Sequence, residues 1–116
     1  MAAGYRDLFL EQGATFNVSL ILTNTQGTAY NLVSSNVASQ ARRSYYSANA
    51  TITFNTTITD AANGVVKLFV DSNTSANIVP GTLLYDIIIK SQNNIITRAL
   101  EGRVFIDPAV TSTHIF

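Results

Sequence analysis

Apolar residues along this chain mostly fall at every second position, and no stripe at helical spacing persists over a useful length. Residues 14–23 place Phe16, Val18, Leu20 and Leu22 on one side, which predicts a strand. Asn24-Thr25-Gln26-Gly27 predicts a turn with Gly27 at positive φ. A short extended piece over 29–32 and a weaker strand over 36–43 follow, then a loop at 44–49. Residues 50–59 alternate cleanly, with Ile52, Phe54, Thr56 and Ile58 on one face. The Asn63-Gly64 pair closes a hairpin, and the chain returns over 65–70 with Val66, Leu68 and Val70 inward. One helical turn is expected near residues 74–79, stopped by Pro80-Gly81.

The last hairpin is the best specified. Residues 82–90 set Leu83, Tyr85, Ile87 and Ile89 on one face. Residues 95–106 set Ile96, Leu100, Val104 and Ile106 on one face of the returning strand. Pairing odd positions of the first strand with even positions of the second unites the two apolar faces, and a slip by one residue would expose them. These segments predict an all-β fold, an Ig-like antiparallel β-sandwich of about seven strands with one short helical turn. The expected organisation is an N-terminal arm or edge strand at 1–13, a sandwich domain at 14–107 and a C-terminal tail at 108–116. No internal repeat interrupts it.

Composition narrows the chemistry. A chain of 116 residues suits one domain, and 47% hydrophobic residues can form its core. Charged residues are 12% and the formal net charge is zero. That excludes a nucleic-acid binder driven by bulk positive charge and a highly charged disordered chain. There is no Cys, so no disulfide, thiolate metal site or thiol nucleophile. The single His is His114. No basic start with an apolar stretch marks a secretory signal, and the longest apolar run is far below a membrane span. Absent cysteine and an absent signal suit synthesis in a reducing cytoplasm. Thr, Asn and Ser are abundant while Lys occurs only at 67 and 90, giving a polar but sparsely charged surface. Such a surface suits dense assembly, because packing desolvates few full charges. The sequons at Asn17, Asn49, Asn55 and Asn73 read as chance products of this composition.

Few residues suggest a site. Asp86 and Glu101 fall near one another in the expected register and form a conceivable acid pair, although Arg98 or Arg103 would more often neutralise such carboxylates. Arg42, Arg43, Tyr45 and Tyr46 form the basic-aromatic cluster, a combination enriched at protein interfaces. Phe116 is an apolar end that suggests a partner contact. Residues 5–11 read as an edge strand or a docking arm. Glycines are dispersed without a phosphate-binding motif, and carboxylates are never clustered at metal-ligand spacing. No catalytic residue, metal or cofactor is expected, and the chain reads as a non-enzyme.

Five segments together carry a family resemblance: LFLEQGATF (8–16), QARRSYYS (40–47), ITDAANGVV (58–66), SANIVPGTLLYDIII (75–89) and ALEGRVFIDPAVT (99–111). The chain resembles a small β-sandwich domain of virion structural proteins from tailed bacteriophages, notably cyanophages. It is similar, more distantly, to N-terminal domains of upper baseplate proteins in phages of Gram-positive hosts. The resemblance implies a virion location and assembly in the host cytoplasm. The implied role is capsid decoration or cement, with neck, tail or baseplate accessory subunit as the alternative. Implied partners are the major capsid protein or tail and baseplate subunits, in a symmetric homo-oligomer, without nucleic acid or membrane. Many relatives continue into further domains, whereas this sequence stops at Phe116, which favours a stand-alone subunit. A host-glycan adhesion module, with Tyr45 and Tyr46 as stacking platforms, is the rival reading.

Overall fold

The computed structural model describes residues 4–24, 26–44, 46, 47 and 49–110. The described residues form nine strands and one helix in order: β1 (Gly4–Tyr5), β2 (Leu8–Glu11), β3 (Phe16–Ile21), β4 (Asn36–Arg42), β5 (Ile52–Thr53), β6 (Asn55–Asp60), β7 (Val65–Val70), α1 (Ser72–Ala76), β8 (Gly81–Lys90) and β9 (Ile96–Asp107). They build two sheets. The larger runs β1-β9-β8-β4-β5, with β2 also on β9, and the smaller runs β3-β7-β6. The all-β sandwich is therefore present, with more strands than the sequence pattern suggests.

Two breaks account for the extra strands. The stretch 50–59 divides at Phe54. Ile52 pairs with Ala41 in the larger sheet, and Asn55 pairs with Phe69 in the smaller one. Phe54 is buried at this crossover, against Phe16 at 6.0 Å and edge-on to Tyr85 at 6.3 Å between ring centroids. The N-terminal stretch divides at Arg6 and Asp7. Both of its parts pair with β9, so the edge-strand reading of this stretch is the one the structure adopts. The pairing is parallel, which corrects the expectation of a wholly antiparallel sandwich. A four-residue apolar segment alternates identically in either direction, so its pattern holds no record of orientation.

The core lies between the sheets. Leu20, Leu22, Val66 and Leu68 meet Leu83, Ile87, Val104 and Ile106, all at most 3% exposed. Burial of such side chains contributes roughly 1.5–3 kcal/mol each before the entropy of ordering the chain is subtracted. Gly64 ends the β6–β7 hairpin at φ 69°, and a Cβ there would stand 2.8 Å from the carbonyl oxygens of Leu22 and Tyr30. Gly27 likewise takes φ 81° in the expected turn.

The β8–β9 hairpin follows the expected parity at first, with Leu83 opposite Val104, Tyr85 opposite Gly102 and Ile87 opposite Leu100. The register then shifts, so that Ile88 faces Arg98 and Ala99 has no partner. A bulge reverses which parity faces the core. Ile96 is consequently 62% exposed instead of inward, a correction to the sequence reading. The helix also begins earlier than expected, because the Asp71 carboxylate accepts the Thr74 amide at 2.7 Å and fixes its start. Those bonds hold the Asp71 carboxyl below its usual range. Ser75 is fully buried and donates to the Ala14 carbonyl at 2.7 Å, fastening α1 to the chain before β3.

Candidate functional site

The outer face of the larger sheet collects the charged and aromatic side chains. Cross-strand register arranges them in rows. Arg42, Leu84 and Arg103 lie abreast on β4, β8 and β9. The adjacent row holds Gln40, Asp86, Glu101 and Tyr5 on β4, β8, β9 and β1. Between these rows lies an open cavity of about 510 Å³. Nearby, Phe9 on β2 stacks on its register partner Phe105 at 5.4 Å and 22°, with Phe9 69% exposed.

The bulge at Ala99 sets the electrostatics of this face. It turns Arg98 outward, where the guanidinium Nε lies 3.2 Å from Asp86 Oδ2 and Nη1 lies 4.0 Å from Glu101 Oε2. The expected acid pair is thus bridged by an arginine in a partly exposed network, whose usual contribution to stability is only about 0–1 kcal/mol. Arg103 and Arg42 remain at the positive row. Arg42 donates to Gln40 Oε1 at 2.9 Å and to the Ser47 carbonyl at 3.2 Å, which holds its guanidinium across the cavity wall.

The basic-aromatic cluster read from sequence does not act as one unit. Arg43 does not line the cavity. It donates to the Val79 carbonyl at 2.7 Å, tying the end of β4 to the segment after α1. Tyr46 is 97% exposed in a turn closed by Ser44 and Ser47, where the Ser47 amide donates to the Ser44 carbonyl at 3.2 Å. Tyr45 and Phe116 lie outside the described residues. The sequence reading did not single out Leu84, Arg103 or the Phe9–Phe105 stack as a surface. Outward alternation on β8 and β9 carried that signal for Leu84 and Arg103. Phe9 became readable only once β2 was known to run beside β9.

Tyr85 supports this face from beneath. Its ring is in the core, and its hydroxyl donates to the Arg6 carbonyl at 2.5 Å. Burial pushes its phenol well above the usual tyrosine value. Arg6 opposes that shift, and Asp7 and Tyr5 add to it. Among the described residues no group of three or more His, Cys, Asp or Glu side chains is arranged to hold a metal. No helix there is long and apolar enough to cross a membrane.

No family model and no curated protein matches this chain. In structure it is similar to CopC from Methylosinus trichosporium OB3b, with a TM-score of 0.45 and 13% sequence identity, over 96% of this chain and 89% of that one.

Proposed function

We propose that this chain is a non-enzymatic structural subunit of a tailed-phage virion, a capsid decoration or cement protein. The observation that carries the reading is the set of five segments, spanning residues 8 to 111, that resembles phage virion β-sandwich domains. The outer face of the larger sheet supports it. Tyr, Phe and Arg are the side chains enriched where proteins grip one another, and Tyr5, Phe9, Phe105, Arg42 and Arg103 stand together there. Repeated copies on a symmetric shell would multiply modest contacts into stable attachment. A neck, tail or baseplate position uses the same chemistry with a different neighbour.

Cosedimentation of the purified chain with phage heads and, separately, with tails tests this. Saturable binding to heads supports decoration, and binding to tails alone assigns the accessory role. Replacing Leu84 with Asp and Arg103 with Glu should weaken attachment about tenfold or more, since central interface residues carry most of the binding energy. Attachment to neither particle part would overturn the proposal. The adhesion reading draws its support from the 97% exposure of Tyr46. Glycan-array binding lost in Tyr46→Ala would establish it instead.

A further inference from the structure

The two sheets differ in width, and the difference leaves one flank of the sandwich open. Among the described residues the smaller sheet ends at β3, which pairs with β7 alone. The larger sheet continues beyond β9 to β2. A slot of about 390 Å³ lies along this flank, walled by Leu8 and Phe9 of β2 on one side and Phe16 and Val18 of β3 on the other. Phe16 and Val18 share the inward face of β3 with Leu20, yet they are only half-buried while Leu20 is 2% exposed. The inward apolar face of β3 is therefore incompletely covered where it borders the slot.

The main chain of β3 is available at the same place. Leu22 N–H donates to the Gly64 carbonyl at 2.8 Å, so even-numbered residues turn their backbone groups toward the β7 side. Alternation then directs the N–H and C=O groups of Asn17, Ser19 and Ile21 toward the open edge. Among the described residues no backbone bond beyond the β3–β7 ladder reaches these three. Edge, uncovered apolar side chains and adjoining slot together form an acceptor for an added strand.

Charge specifies the occupant. Among the described residues, Asp7, Glu11 and Asp107 line the slot against one cation, Arg6. Lys67, opposite Ser19 on β7, does not line it, and its ammonium lies 5.8 Å from the Phe69 ring centroid. Pairing of two copies through this edge would bring two carboxylate-rich rims together, which disfavours a second copy. The geometry points to β3 as a docking edge for an extended segment of another protein that presents both apolar and Lys or Arg side chains on its slot-facing side. On that side its apolar residues cover Phe16 and Val18 and its basic ones meet the carboxylate rim, while the backbone continues the smaller sheet. This inference stands apart from the virion reading, because it concerns a different face and requires no particle.

A short synthetic peptide of repeating Val-Thr-Lys-Thr, which sets Val and Lys on one side of the strand, is the Lys–Val probe, with the matching Glu–Val peptide (Val-Thr-Glu-Thr repeats) and a proline-interrupted Lys–Val peptide as controls. The expected result is saturable binding of the Lys–Val peptide to the intact chain, with amide shifts and slowed hydrogen exchange at Asn17, Ser19 and Ile21. The Glu–Val peptide should bind about tenfold or more weakly, and the interrupted peptide should not bind. Ser19→Pro removes an outward donor without taking a bond from the β7 ladder, and it should abolish binding. Glu11→Lys with Asp107→Lys provides an independent test through charge and should shift preference to the Glu–Val peptide. No saturable binding, equal binding of both charged peptides, or shifts confined to the outer face of the larger sheet would overturn the inference. Self-association through β3 without peptide would also overturn it, in favour of a second copy.

Discussion

Tyr85 and Gly102 face each other across β8 and β9, and the side chain that Gly102 lacks is replaced by the backbone of Arg6. A Cβ at Gly102 would stand 2.0 Å from the Arg6 carbonyl oxygen and 3.1 Å from the Tyr85 ring. The Arg6 amide donates to the Glu101 carbonyl at 2.9 Å, and its own carbonyl receives the Tyr85 hydroxyl. Asp7 then accepts the Arg103 amide at 3.2 Å. The break between β1 and β2 is thus anchored by bonds to β8 and β9.

Gly102→Ala should detach this anchor. The clash is with main chain, which cannot rotate away as a flexible side chain would. Urea denaturation should show a loss of about 1–3 kcal/mol, and hydrogen exchange at Arg6 should accelerate while exchange in β7 stays slow. Unchanged exchange at Arg6 would contradict the anchoring role.

Tyr85→Phe removes one hydrogen bond and should cost about 0.5–1.5 kcal/mol. It should also change the response to alkali. The folded state holds the Tyr85 proton more tightly than the unfolded chain, whose tyrosine titrates near 10.0. The stability from this group is complete below that pH and falls as pH rises above it toward the folded value. Denaturation curves collected from neutral pH to about pH 11 should therefore converge, with the wild type losing its advantage over Tyr85→Phe.

Phe54→Ala should be among the most damaging single changes. It empties the point where the chain passes between sheets and removes the ring contacts to Phe16 and Tyr85. A loss of about 3–5 kcal/mol is expected for truncating a buried phenylalanine, read as a lowered urea midpoint. A loss under about 1 kcal/mol would show that neighbours collapse into the space.

Asp71→Ala should lower the melting temperature by removing the helix cap. The Asp71 carboxyl is held below its usual value of 3.8, so its contribution is present above that pH and disappears as pH falls through the folded value. Thermal melts of mutant and wild type should differ at neutral pH and coincide in strong acid.

Legibility in the sequence varied from one element to the next. Leu83, Tyr85, Ile87 and Ile89 were readable as a buried row, because period-two alternation is the geometry of a strand. Ala99 was not readable as a bulge. The apolar spacing from Ile96 to Leu100 fits an unbroken strand, and the inversion depends on how β8 is met. That one residue misplaced Ile96 and set Arg98 beside Asp86. Gly102 carried a usable signal, since glycine inside an apolar strand often marks a close backbone approach. Arg42 and Arg43 looked equivalent as neighbours, yet one walls the outer cavity and the other anchors to Val79. Only tertiary structure distinguishes them.

The parallel pairing of β1 and β2 with β9 has a mechanical consequence. Force entering ahead of Gly4 and leaving beyond Asp107 would pull these neighbouring strands along their length in opposite directions. Their hydrogen bonds would then bear the load together in shear instead of unzipping one by one, so the domain should resist stretching between its ends far better than a hairpin pulled apart from its open side.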